Sequence, residues 1–220
     1  MISTTKRDNL EKGSGLKTEI APGIHRIKVP IPDNSLGHLN CYLVEGEDGW
    51  LMVDTGWHTS DAFCSLEAGL ERLHLGLEDV STMVVTHVHP DHFGLAGRVK
   101  QSSPRTQLLV HGWESDLIES RYIRFSELED QVERLLQQHG VPSMDVSALV
   151  SASMPAIRSV TIAAPDRTLY GGEVIATGKY DLDVIWTPGH SPGHICLYEP
   201  QNRLLFSGDH ILPVITPNIS

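Results

Sequence analysis

The sequence predicts a layered α/β fold in which helices cover mixed β-sheets. Short β-type runs alternate with segments of helical periodicity, and a helical block separates an early group of strands from a late one. The segment STMVVTH at 81–87 is a continuous apolar, β-branched run, typical of a strand buried on both faces. The 220 residues, 40% of them hydrophobic, are enough to bury a sizeable core in one large domain.

The first half of the chain alternates strands with helices. Turn residues separate three β-type runs at 24–29, 40–45 and 50–54, and E-G-E-D-G between the last two predicts a hairpin. A helix follows, because apolar residues recur at helical spacing and the spacing ends at a glycine. These residues are Phe63, Leu66, Leu70, Leu73 and Gly76. The strand at 81–87, a helix over 92–101 and a strand over 106–111 complete this half.

The second half begins with a helical segment at about 113–156. His139-Gly140-Val141-Pro142 lies within it and is a typical helix stop signal. The chain then returns to strands, expected at 158–163, 167–176, 181–187, 194–199 and 203–209. The polar residues 1–18 predict a flexible tail, so residues 19–220 are expected to form a single domain.

Composition excludes several classes of function. Lys and Arg number 17 and Asp and Glu 28, a net charge of −11, which argues against nucleic acids and anionic membranes as partners. No apolar run approaches the roughly 18 residues of a membrane helix, and residues 1–15 lack the apolar core of a secretory signal. The three cysteines form no C-x-x-C pair. We therefore expect a cytoplasmic protein with a small-molecule substrate, and the oligomeric state is left open.

Four potential metal ligands lie within six residues, where the apolar strand ends. They are His87, His89, Asp91 and His92, in the run H-V-H-P-D-H. Alternation at a strand end points His87 and His89 the same way, and Pro90 forces a turn that brings the next two side chains round. Three imidazoles and a carboxylate suit zinc and also tolerate iron or manganese. The run therefore predicts a metal site.

Two later segments add further candidate ligands. His190 lies in the loop T-P-G-H-S-P-G-H, directly after the predicted strand 181–187. Asp209 ends the predicted strand 203–209 in the run S-G-D-H. Ligands at three strand ends can converge on one edge of a sheet, where open α/β proteins place their sites.

The H-x-H-x-D-H run, the T-P-G-H-S-P-G-H loop and the G-D ending together resemble the metallo-β-lactamase superfamily. The glyoxalase II-like hydrolase branch is the most similar. The segment V53-D54-T55-G56 is similar to the early strand–turn motif of that superfamily, so the resemblance covers roughly residues 30–210. It implies a four-layer αββα sandwich of two mixed β-sheets flanked by helices.

The resemblance also implies a two-metal site, most simply with two zinc ions. His87, His89 and His190 would bind the first metal, Asp91 and His92 the second, and Asp209 would bridge the two. Asp54 would support the site by orienting its loop and ligands. A metal-bridging water or hydroxide would be the nucleophile, and Asp91 would orient it and pass its proton to the leaving group.

The sequence departs from the family pattern at one point. The pattern supplies a further histidine well downstream of the bridging aspartate, as the last ligand of the second metal, and only residues 210–220 follow Asp209 here. His210 adjoins Asp209 on a turn and is expected to point elsewhere. Two explanations stay open: a missing C-terminal part of the fold, or an incomplete second site.

The residues and the resemblance together leave four functions open. The first is a metal-dependent hydrolase of a small ester, thioester or lactone. The others are a phosphodiesterase or nuclease of the same fold, a di-iron redox protein, and a metal-binding domain that is inactive because its second site is incomplete. The helical segment 113–156 has a structural explanation as a cover for one sheet face. It has a second as a pocket wall that contacts substrate through Arg121, Tyr122, Arg124 and Phe125.

Overall fold

A seven-stranded mixed sheet organises most of the chain in the computed structural model, which describes residues 18–153 and 160–218. Its strands are adjacent in sequence order, antiparallel from the first to the fourth and parallel from the fourth to the seventh. They are β1 (Glu19–Ala21), β2 (Ile24–Pro30), β3 (His38–Glu45), β4 (Trp50–Val53), β5 (Val80–Val84), β6 (Gln107–His111) and β7 (Arg167–Leu169). The carboxyl ends of the four parallel strands share one edge of the sheet.

Helices make the crossovers between the parallel strands. Helix α1 (Ser60–Glu71) joins β4 to β5, and the Thr59 side chain accepts the amide hydrogen of Ala62 at 3.1 Å to cap its first turn. Helices α2 (Pro90–Phe93) and α3 (Ala96–Ser102) lie between β5 and β6. The segment between β6 and β7 holds α4 (Gly112–Ile118), a π-helical turn at 119–123, α5 (Phe125–Gln138) and α6 (Ser143–Ser153). The predicted helical segment is therefore confirmed as far as residue 153.

A second sheet packs against the first. Its four strands run in the order β11-β10-β9-β8, and every pair is antiparallel. They are β8 (Val174–Ala176), β9 (Asp181–Trp186), β10 (Ile195–Glu199) and β11 (Leu204–Phe206). The expectation that both sheets are mixed is therefore wrong for this one. Short loops connect its strands, and short connections favour antiparallel neighbours.

Two apolar cores hold the layers together. One lies between the helices and the first sheet and includes Phe63, Leu66 and Leu108. The other lies between the two sheets and includes Leu182 and Leu197. The outer face of the second sheet is less covered than its inner face. Within the described ranges it exposes Val174, Ile185 and Leu205 by 50%, 41% and 45%. Three layers of the predicted sandwich are thus formed by the described residues, and the helices of the fourth are not among them.

Removing a side chain from the helix–sheet core should be costly. Leu108 is fully buried in β6, so Leu108→Ala is expected to lower the free energy of unfolding by about 2–5 kcal/mol. Leu205→Ala, at an exposed leucine of β11, is the matched control and should cost less than about 1 kcal/mol. Urea denaturation in the presence of a chelator measures both. Equal losses would contradict the layer assignment.

Several element predictions need correction. The predicted strand 167–176 is two strands in different sheets, since the chain leaves β7 through Gly171 and Gly172, both with positive φ, before β8 begins. The predicted helix 92–101 is divided between α2 and α3. The Gly94 backbone there packs so closely on the Gly56 and Pro90 carbonyls that a Cβ would come within 2.8 Å of both. Residues 160–163 form no strand. Residues 158–159 and the predicted tail up to residue 17 lie outside the described residues.

None of the helices in the described part of the chain combines the length and the apolar character needed to cross a membrane.

Candidate metal centre

The candidate site lies where the carboxyl ends of the parallel strands meet one edge of the second sheet. Asp54 follows β4, and the segment 85–92 follows β5. The loop 187–194 leaves β9, and Asp209 sits in a short 3₁₀ turn after β11. A hydrogen bond from the Ile195 amide to the Thr86 carbonyl, at 3.0 Å, joins the two sheets beside the site.

Three histidines form the first cluster of potential ligands. His190 Nε2 lies 2.9 Å from His89 Nδ1 and 3.1 Å from His87 Nε2. His87 is fully buried, whereas His89 and His190 are partly exposed. One loop from each sheet thus contributes to a single three-nitrogen cluster that could hold a metal ion.

A second cluster shares His87 with the first and adds His92 and Asp209. His92 Nε2 lies 3.1 Å from Asp209 Oδ1. The other carboxylate oxygen, Asp209 Oδ2, lies 3.4 Å from His190 Nε2, so this side chain faces both clusters. Asp91 Oδ2 lies 3.8 Å from His92 Nε2, at the margin of the second cluster. All six predicted ligands are therefore brought together.

Hydrogen bonds on the far side of the rings orient three of the histidines. The carbonyl of Asn218 can only accept, so at 2.9 Å it assigns the proton of His190 to Nδ1. The Asp54 carboxylate, 2.8 Å from His92 Nδ1, does the same for that ring. Thr86 Oγ1 lies 3.1 Å from His87 Nδ1. These bonds aim the Nε2 atoms of His190 and His92 at the clusters.

Asp54 is the buried anchor of this arrangement. Its Oδ1 accepts the Thr86 amide hydrogen at 2.8 Å, and both its oxygens lie within 3.1 Å of Thr86 Oγ1. Its backbone has φ +59°, a left-handed conformation that aspartate tolerates better than most residues. The contacts of Asp54 therefore reach both His92 and the strand end that carries His87.

Burial and mutual repulsion keep two of the histidines neutral. Desolvation, reinforced by the neighbouring imidazoles, lowers the pKa of His87 well below its usual range. The same causes, with His190 and Arg121 contributing, lower the pKa of His89 to about 3. Neutral imidazoles carry the lone pairs that a metal ion requires. Both rings are thus in the ligand-competent state at neutral pH.

At the second cluster, neighbouring charges outweigh burial in shifting the pKa values of His92 and Asp209. Burial disfavours the charged form of His92, but Asp54 and Asp91 outweigh it and raise the pKa of this ring well above its usual range. Burial also opposes ionisation of Asp209, yet the hydrogen bond and charge of His92 hold the pKa of Asp209 at about 2. A cation binding here would replace the His92 proton, so binding should release a proton.

Asp91 is partly buried beside Asp209, and its pKa is raised mainly by desolvation, against the lowering effect of His92. A cavity of about 400 Å³ opens next to it. Asp91, His92 and Asp209 form its polar side, and apolar residues such as Ile31, Leu39 and Phe206 form much of the remainder. The site is thus bordered by a largely apolar space.

The helical segment is also predicted to form a pocket wall that contacts substrate. The contacts around the π-helical turn support this only in part. Tyr122 is buried, and its hydroxyl donates to the Val88 carbonyl. Arg124 pairs with Glu119 at 3.3 Å and with Glu127 at 3.8 Å. Arg121 is close enough to His89 to affect its titration. Of the four predicted substrate contacts, Tyr122 is therefore structural.

Two residues that hold the site together were not predicted from the sequence. Thr86 and Glu114 belong to no motif, because their partners, the Asp54 carboxylate and the two histidine-bearing loops, are brought near only by the fold. His194 is fully buried, with Nδ1 2.8 Å from Thr187 Oγ1 and Nε2 accepting the Asp209 amide hydrogen at 3.2 Å. Its position at the start of the predicted strand 194–199 favours a hydrogen-bonded structural role over a place in the pocket lining, and these contacts are structural.

Comparison with known proteins identifies relatives over most of the chain. The family model of the metallo-beta-lactamase superfamily matches residues 35–220. A solved structure of a metallo-beta-lactamase family protein from Thermus thermophilus aligns with a TM-score of 0.71 and 31% identity. That alignment covers 91% of this chain and 64% of the other.

Two curated relatives have names that state an activity. The hydroxyacylglutathione hydrolase GloC of Haemophilus influenzae is 27% identical, over 77% of this chain and 65% of its own length. The acyl-coenzyme A thioesterase MBLAC2 of Bos taurus is 30% identical, over 77% of this chain and 57% of its own length. The chain therefore spans less than two thirds of the length of either relative.

Proposed function

Because the chain belongs to the metallo-beta-lactamase superfamily, we propose that it is a metal-dependent hydrolase with a two-metal site. His87, His89 and His190 are the proposed ligands of one ion, and Asp91 and His92 those of the second. Asp209 is the proposed bridge, and zinc is the proposed metal, with iron or manganese as substitutes. The observation that carries the proposal is the convergence of two ligand clusters on the shared His87 and on Asp209.

The donor set supports zinc at the three-histidine cluster. Tetrahedral zinc with nitrogen ligands at 2.0–2.1 Å requires ligand atoms about 3.3 Å apart. The observed separations of 2.9 and 3.1 Å are close to this value, and small side-chain adjustments would reach it. The proposed ligands of the second ion are one imidazole, from His92, and carboxylate oxygens of Asp91 and Asp209, a harder set that also suits manganese or iron.

The chain's own groups divide the remaining work. Two bound divalent ions would supply a water nucleophile of lowered pKa and would polarise the scissile carbonyl. Asp91 is the proposed group that orients this water and receives its proton, because burial already raises its pKa towards the range of a useful base. Asp54 and Thr86 would keep the imidazoles aimed at the metals.

A thioester is the favoured substrate class, with small esters and lactones next. The names of the two curated relatives, a hydroxyacylglutathione hydrolase and an acyl-coenzyme A thioesterase, support it, since both substrates are thioesters. The net charge of −11 disfavours a nucleic-acid substrate. The free thiols of Cys41, Cys64 and Cys196 support the proposed cytoplasmic location.

A chelation experiment tests this function. The zinc-loaded chain is expected to hydrolyse an acyl-coenzyme A or acylglutathione thioester, to lose that activity in EDTA, and to regain it when zinc is restored. His190→Ala should lose both metal and activity, and His139→Ala, an exposed histidine at the end of α5, is the matched control. Assays with a lactone and with bis(p-nitrophenyl) phosphate run in parallel. Turnover of the diester alone would contradict the thioester proposal, and bound metal without any turnover would favour an inactive metal-binding domain.

A further inference from the structure

Glu114 is a fully buried carboxylate in the first turn of α4. Its Oε2 accepts the Val88 amide hydrogen at 2.8 Å. Its Oε1 accepts the Ser191 hydroxyl at 2.5 Å and the Gly193 amide hydrogen at 2.8 Å. Burying a charged side chain is costly unless it is fully hydrogen-bonded, and these three donors meet that requirement.

The donors belong to the two loops that carry the first histidine cluster. Val88 lies between His87 and His89, while Ser191 and Gly193 follow His190 in the loop after β9. The two loops come from different sheets and are about a hundred residues apart in the chain. One carboxylate therefore links the two halves of a three-histidine cluster through two backbone amides and a hydroxyl.

The surroundings of Glu114 make this link rigid. Val88 is held from both sides, because its carbonyl also accepts the buried Tyr122 hydroxyl. At Gly193 a Cβ would lie 2.8 Å from Glu114 Cγ, so the loop approaches this side chain as closely as a glycine permits. The helix is itself fixed, since His111 Nδ1 accepts the Trp113 amide hydrogen at its start and Ile118 is buried near its end.

We propose that Glu114 is a positioning residue of the metal centre, which sets the separation of the His87–His89 segment from the His190 loop. The inference rests on the proposed function, since it assigns Glu114 a role in metal affinity. Holding the loops at binding distance before the ion arrives removes part of the ordering cost of binding. Partners that orient metal ligands in this way commonly contribute about 10- to 100-fold to affinity.

Glu114→Gln is the discriminating substitution because it keeps the shape and removes one acceptor. Val88 and Gly193 present backbone amide hydrogens, which can only donate, to opposite oxygens of the carboxylate. An amide side chain has one oxygen and one NH₂ group, so in either orientation a donor faces a donor. One of the two loops must then move.

The experiment measures zinc affinity and local amide exchange in the full chain. In Glu114→Gln the zinc dissociation constant should rise about 10- to 100-fold, and hydrogen exchange at Val88 or Gly193 should accelerate in the zinc-free chain. Asp116→Asn, the same chemical change at an exposed position of the same helix, should alter neither. Ser191→Ala removes a single donor and should raise the constant by less than about tenfold, which keeps the test usable if Glu114→Gln does not fold.

The outcomes separate this inference from the proposed function. Wild-type affinity in both Glu114→Gln and Ser191→Ala, beside a wild-type chain that binds zinc, would overturn the positioning role alone. Equal weakening by Asp116→Asn would overturn it as well, because the effect would then not depend on the link between the loops. A wild-type chain that binds no zinc would overturn both proposals.

Discussion

Asp91→Asn is expected to lower kcat by about 10²- to 10⁴-fold, while the metal content of the chain changes far less. The carboxylate is proposed to orient the attacking water and to receive its proton, and an amide can accept no proton at neutral pH. Asp91 lies 3.8 Å from His92 Nε2 at the edge of the second cluster, so the other ligands would continue to hold the metals. Steady-state kinetics with the thioester and metal analysis of the same preparation measure the two quantities.

Asp130→Asn, at an exposed position of α5, is the matched control and should leave kcat unchanged. Activity of Asp91→Asn equal to that of the wild type would refute the proton-transfer role. A loss of metal in proportion to the loss of activity would instead assign Asp91 to metal binding alone.

Asp54→Asn is expected to keep the fold and to lose about 10- to 100-fold in metal affinity, with a corresponding loss of activity. The reason is the tautomer of His92. The Thr86 amide hydrogen needs an acceptor, so the Asn oxygen would replace Oδ1 and its NH₂ group would face His92 Nδ1. The ring would then carry its proton on Nε2, directed at Asp209, and could not bind a cation there.

The control for this substitution shares its backbone conformation. Asp33 also has a positive φ, +49°, in an exposed turn, so Asp33→Asn tests the effect of the change on a left-handed residue without the buried contacts. Thermal unfolding should show a folded protein for both variants, and zinc titration should separate them. Nitrogen-detected NMR should report protons on both ring nitrogens of His92 in the metal-free wild type, because Asp54 and Asp91 raise its pKa, and on Nε2 alone in Asp54→Asn. A proton that stays on Nδ1 in Asp54→Asn would contradict the explanation.

The strands and the ligand residues were largely predictable because they depend on local patterns. The apolar run at 81–87 is typical of a buried strand, and β5 occupies Val80–Val84. The alternation of His87 and His89, followed by Pro90, was sufficient to predict clustered ligands at a strand end. The helical segment after residue 112 also followed from its own periodicity.

Sheet membership could not be predicted in the same way. Nothing in the residues 167–176 says that Arg167–Leu169 pairs with β6 whereas Val174–Ala176 pairs with β9. Strand pairing depends on partners remote in sequence, and two adjacent short strands satisfy the same local propensities in either sheet. The antiparallel character of the second sheet followed only once its strand order was known.

The sequence by itself determined which residues carry the proposed chemistry, because metal ligands need particular side chains and those stand in compact motifs. The tertiary structure alone decided how they are held. Glu114 resembles any charged residue of a helix until the fold places the Val88 and Gly193 amides against its two oxygens. Backbone donors have no signature in the amino-acid sequence, so a residue whose partners are backbone amides becomes visible only when the chain has folded.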